Sequence, residues 1–202
     1  MQQHSLAKGD RRLNALVHNV IWPAVAGSIL WTLLHITIGP PDPGAPFWPR
    51  FFALLSVGVF LVIDWVGTEG VAEAINVHYW WADLLLAPSL SVFAVATEFN
   101  TSWAVWPLGV AFGIAVIGHI LGAWEPVPSA WHPWDRHAPF GWRFAFAGIN
   151  GLGLGLLCAG THLGESYAPW STSVATASVV LAYLVVNLVA KRMAASAARA
   201  AR

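Results

Sequence analysis

The stretch Ala104–Trp124, AVWPLGVAFGIAVIGHILGAW, decides the fold class of this chain. It contains no Asp, Glu, Lys or Arg, and His119 is its one ionisable side chain. About 20 apolar residues wound as a helix match the hydrocarbon thickness of a bilayer, with a range of roughly 17–25. Reading outward, five further stretches are predicted to do the same. The six spans fall near 15–38, 51–67, 80–99, 104–124, 142–164 and 174–190. Between them lie turn-forming clusters: Gly39 to Gly44, Asn100-Thr101-Ser102, Glu125-Pro126-Val127-Pro128 and Glu165 to Ser173. Proline lacks the N–H that continues a helix and restricts the residue before it, so such clusters punctuate spans. The predicted architecture is an all-α, polytopic membrane bundle of about six helices in a single domain, 1–202.

Composition agrees. Of 202 residues, 57% are hydrophobic and 10% charged, and the mean hydropathy is +0.60. Soluble domains carry roughly a quarter charged residues. Ten Lys and Arg balance ten Asp and Glu, which excludes a basic nucleic-acid surface. The lone Cys158 excludes an intrachain disulfide framework, a CxxC pair and a multi-cysteine metal site.

Placing the N-terminus inside puts Lys8, Arg11, Arg12, Arg136, Arg143, Lys191, Arg192, Arg199 and Arg202 on the cytoplasmic side and leaves Arg50 alone outside. That split follows the positive-inside rule and predicts that both termini are cytoplasmic, with a basic tail over 191–202. The Ala/Arg/Trp-rich composition suggests a bacterial inner membrane. Many of the thirteen tryptophans, Trp48, Trp103 and Trp170 among them, fall near predicted span ends, as an interfacial aromatic belt requires.

Ionisable side chains inside spans are expensive and mark functional sites by default. With this orientation they gather toward the cytoplasmic half. His18 opens the first span, Asp64 and Asp83 flank the second loop, and His119 and Glu125 close the fourth span. His78, His132 and His137 lie in loops on the same side. Asp64, Asp83 and Glu125 are the candidate catalytic carboxylates; His18, His119, His78, His132 and His137 are the candidate metal ligands. Each has a plainer reading as a helix-packing hydrogen bond or a headgroup contact. His35, His162 and Glu98, at the outer ends, read as interfacial or packing residues. Imidazoles with carboxylates and no thiolate suit iron, manganese or zinc. No HxxxH or HxxHH box occurs, so the histidine-box pattern of membrane desaturases is missing. Gly151 with Gly155 and Gly118 with Gly122 have the GxxxG spacing that lets helices approach closely.

Two stretches carry a family resemblance. Asn14-Ala-Leu-Val-His18-Asn-Val-Ile-Trp-Pro23 and Ile117-Gly118-His119, the latter followed by Glu125, resemble the small integral-membrane, Fe(II)-dependent 2-hydroxy fatty acid dioxygenases. The resemblance implies an α-oxidation that shortens a 2-hydroxy fatty acid by one carbon. It makes His18 and His119 iron ligands, with His78, His132 or His137 completing the set and Asn14 orienting His18 from one turn away.

The expectation from sequence is therefore a metal-dependent membrane oxygenase acting on a lipid or other amphiphile. Two alternatives stand beside it. One is a metal-free terpene cyclase that uses Asp64, Asp83 or Glu125 as acid and aromatic faces to stabilise a cation. The other is a pigment- or haem-binding or structural subunit of a larger complex. The expected partners are a hydrophobic small molecule, the bilayer and further copies or subunits, with no nucleic acid.

Overall fold

The computed structural model describes residues 16–39, 46–68, 77–99, 101–123, 139–164 and 167–200. These form six long helices: α1 (Trp22–Ile38), α2 (Phe47–Thr68), α3 (Val77–Phe99), α4 (Thr101–Ala123), α5 (Pro139–Leu163) and α6 (Ala168–Ala200). No strand occurs among the described residues. Among the described residues, four segments are long and apolar enough to cross a membrane: Asn19–Ile38, Trp103–Leu121, Arg143–Leu163 and Ala168–Val186. The apolar parts of α2 and α3 are shorter, Phe47–Val62 and Leu84–Phe99.

Several boundaries depart from the sequence expectation for a common reason. Pro169 fell within a predicted break and Pro49 just ahead of a predicted span, yet each lies in the first turn of its helix, where the missing N–H has no intrahelical acceptor to serve. Helix α6 accordingly begins at Ala168 and runs on through the basic tail to Ala200, because Ala and Arg are strong helix formers. At the other end of the chain, α1 is preceded by a π turn, Val17–Ile21. Pro23 explains it. The Trp22 N–H bonds the Val17 carbonyl and residue 23 has no N–H, so both donors that would serve the His18 carbonyl are withdrawn.

The helices close into a ring. Around it the order is α1, α2, α6, α5, α4, α3 and back to α1, with α3 against α4 the most extensive pairing. Helices α2 and α3 are neighbours in sequence but barely touch, and α4 also reaches across to α6. The interior holds Ile29, Leu54, Phe93, Leu108 and Leu157, all nearly fully buried. The outer surface is apolar too: Trp31, Phe99, Trp103 and Trp106 are each more than two-thirds exposed. An apolar exterior around a packed interior is the pattern expected of a bundle whose solvent is lipid.

Glycine sets three of the seams. A Cβ on Gly118 would lie 3.0 Å from the Ala82 Cβ, which brings α4 against α3 as expected. On α5 the expectation is corrected. A Cβ on Gly151 or Gly155 would meet nothing within 4 Å, whereas one on Gly153 would lie 2.7 Å from Val179 and 2.9 Å from Phe112. One on Gly160 would lie 2.0 Å from the Ser171 Cβ. Helix α5 then ends at Gly164, whose φ of 112° is open only to glycine at low cost.

The end of the ring where α1 and α3 finish and α2 starts is tied by polar contacts. His35 Nδ1 pairs with Glu98 Oε1, and the Thr32 hydroxyl donates to Glu98 Oε2 at 3.4 Å. Arg50, 6% exposed, donates to the Glu98 backbone carbonyl at 3.3 Å. His35 and Glu98 are thus not solitary interfacial residues but one junction of three helices. Glu98→Ala is expected to lower stability by about 1–2 kcal/mol, since it removes a mostly buried carboxylate and leaves Thr32 and His35 without it. His35→Ala, at a half-exposed position, should cost less than half as much. Unfolding titrations of the two variants in matched detergent check the ranking.

Candidate functional site

Within the ring lies a partly open cavity of about 130 Å³ to which all six helices contribute. Trp22 comes from α1, Phe60 from α2, Ala82 and Leu86 from α3, His119 from α4, Asn150 from α5 and Tyr183 from α6. Most of its wall is aliphatic or aromatic, and among the described residues no Asp, Glu, Lys or Arg lines it.

One side of this cavity is polar. Asn150, 2% exposed, donates through Nδ2 to the Phe146 carbonyl one turn earlier at 2.9 Å and to the Tyr183 hydroxyl at 2.8 Å. The carbonyl accepts only, so it assigns the Asn150 nitrogen. Tyr183 Oη also lies 2.9 Å from His119 Nε2. The phenol can accept two hydrogen bonds and donate one, so the His119 tautomer sets which member of the Tyr183–His119 pair donates. The result is a hydrogen-bonded chain of Asn150, Tyr183 and His119 in a region of low polarity where hydrogen bonds are strong and costly to break.

Aromatic packing fixes the chain. The Phe146 ring stacks on Tyr183 with centroids 4.7 Å apart and on His119 at 5.4 Å. Phe60 meets Tyr183 edge-on at 5.2 Å. Contacts among four helices, α2, α4, α5 and α6, therefore orient one imidazole and one phenol with little freedom. Such a pair can hold a ligand oxygen and exchange a proton with it, at the cost of the opposite charges that any transfer between two neutral groups creates.

Of the sequence-predicted site residues, the structure brings His119 to the cavity. His18 belongs to the π turn that leads directly into Trp22, a cavity-lining residue. Its side chain lies outside the described residues, as do those of Asp64 near the end of α2 and of His78 and Asp83 in the first turns of α3. Asn14, Glu125, His132 and His137 lie outside the described residues altogether. Among the described residues no three of His, Cys, Asp and Glu come together as a metal would need. Described donors lining the cavity offer iron a single imidazole, His119, whose Nε2 already meets Tyr183. One imidazole is fewer ligands than an iron site needs, and the described residues supply no second.

Tyr183 and Asn150 were missed by reading only ionisable groups for chemistry. The available signal was depth: Tyr183 sits in Val179-Val-Leu-Ala-Tyr183-Leu-Val-Val, and Asn150 in the glycine run of α5. A hydrogen-bonding side chain inside a span needs a partner as much as a histidine does. No protein-family model, curated protein or solved structure matches the chain.

Proposed function

We propose that this chain is a six-span integral membrane protein, both termini cytoplasmic, that takes an apolar small molecule into its central chamber and acts on its polar end. The observation that carries this reading is the Asn150–Tyr183–His119 chain set into the wall of an otherwise apolar cavity. The span count rests on hydropathy together with the closed ring of six helices, and the orientation on the distribution of Lys and Arg. The bilayer supplies the ligand, the apolar wall binds it and keeps water out, and His119 with Tyr183 takes or returns a proton at the ligand's oxygen.

Fluorobenzene tests the chamber. The full chain in lipid nanodiscs is expected to show saturable ¹⁹F line broadening beyond that of empty nanodiscs. Ala115→Phe, which places a ring in the cavity, should abolish it. Binding that survives this variant would show that the chamber is not the site.

An iron-dependent oxygenase is the second reading, favoured by the π turn that carries His18 into the cavity-lining Trp22. Irregular helical turns of this kind concentrate at functional positions. Iron at one per chain, lost in His18→Ala, would establish it. A metal-free protein that still binds fluorobenzene would end it and leave the first reading standing.

A further inference from the structure

We infer that Arg50 holds the phosphate of a phospholipid headgroup at the end of the bundle where α2 begins. The chamber has no part in this site, so neither reading stands or falls with the other.

Arg50 is a buried cation with little to answer it. It lies in the first turn of α2, beside the last turn of α3, and is 6% exposed. Among the described residues its guanidinium makes one hydrogen bond, from Nη1 to the Glu98 backbone carbonyl at 3.3 Å. Its buried Nε has no hydrogen-bond partner. The nearby carboxylate is already engaged, since Glu98 Oε1 pairs with His35 and Oε2 accepts from Thr32. A carbonyl dipole does not neutralise a charge, and a buried guanidinium without a counter-anion is costly. Water can satisfy the N–H but leaves the charge unanswered. An anion reaching Nε and Nη2 meets the fork with which arginine binds phosphate through two parallel hydrogen bonds.

The level of Arg50 in the bundle points to a lipid as the source of that anion. Trp48 stands two residues before it on α2, and Phe99 and Trp103 stand at the adjoining ends of α3 and α4, all more than half exposed. Tryptophans exposed at helix ends collect at headgroup depth, which sets Arg50 level with the phosphates. Trp31 on α1 and Val95 on α3, each about one turn further into the bundle, face outward and offer the acyl chains an apolar surface.

Native mass spectrometry of the full chain, released from a neutral detergent, reads the lipid that stays bound. Dioleoylphosphatidylglycerol is expected to give a tight first adduct. Dioleoylglycerol, with the same tails and no phosphate, is expected to give none. Arg50→Gln should weaken the phosphatidylglycerol adduct roughly tenfold, the worth of a charge-assisted hydrogen bond. Arg192→Gln, at an exposed position on the far part of α6, should leave it unchanged. Arg50→Lys keeps the charge but loses the fork and should fall between. Should Arg50→Gln fail to fold, the Lys variant and the two lipids on the parent decide the matter. Equal retention of both lipids by the parent, or equal retention of phosphatidylglycerol by the parent and the Arg50 variants, overturns the inference. Displacement of the lipid by inorganic phosphate at the lipid's own concentration also overturns it, because the ligand is then the free anion.

Discussion

Gly160→Ala is expected to cost about 3 kcal/mol or more and to leave little folded protein after extraction. The added Cβ would stand 2.0 Å from the Ser171 Cβ and 2.4 Å from its Oγ. Neither atom can move aside easily. A Cβ follows its backbone, and the Ser171 hydroxyl is held by the Ala168 carbonyl at 2.8 Å. The whole of α5 must therefore back away from α6, and small-to-large changes that force backbone displacement reach the upper end of overpacking costs. Gly155→Ala is the internal control. It lies on the same helix with nothing within 4 Å of the new methyl, and alanine is the better helix former by about 1 kcal/mol. Titration of both variants with a denaturing detergent, read by helical circular dichroism, should show one sharply destabilised protein and one equal to or slightly better than the parent. Equal destabilisation would mean that the α5–α6 contact is not as close as described.

Tyr183→Ala should be nearly as damaging, at about 3–5 kcal/mol. It removes the stack on Phe146, the edge contact with Phe60 and the hydroxyl's hydrogen bonds with Asn150 and His119. Tyr183→Phe keeps the ring and should cost about 1–3 kcal/mol, because the buried Asn150 amide then loses one of its two acceptors. The gap between the two variants separates packing from the polar chain. If Phe and Ala are equally destabilising, the hydroxyl and not the ring holds this region together.

The helical class was readable because four segments are long, apolar and almost free of charge, the one within 104–124 among them. The order of helices around the ring was not. Helix α4 is apolar on all sides, so its sequence carries no stripe to say which face meets a neighbour. Glycine spacing misled for the same reason. Gly151 and Gly155 have the right interval but face outward, while Gly153 and Gly160, seven residues apart, face α6. Of the site, His119 stood out because an imidazole in a span is rare. Its partner Tyr183 did not, since a tyrosine is also an ordinary packing residue and the pairing bridges 64 positions of chain.

The ring has one seam joining parts of the chain made far apart in time, that between α2 and α6. Every other pairing links helices that emerge consecutively or with only one helix between them. A chain halted after α5 would expose an unfinished barrel with a slot where its last stave belongs, lacking Tyr183 and Val179 alike. Closure of the ring therefore waits on the last helix: until α6 packs against α2, the chamber lacks the wall that Tyr183 and Val179 supply.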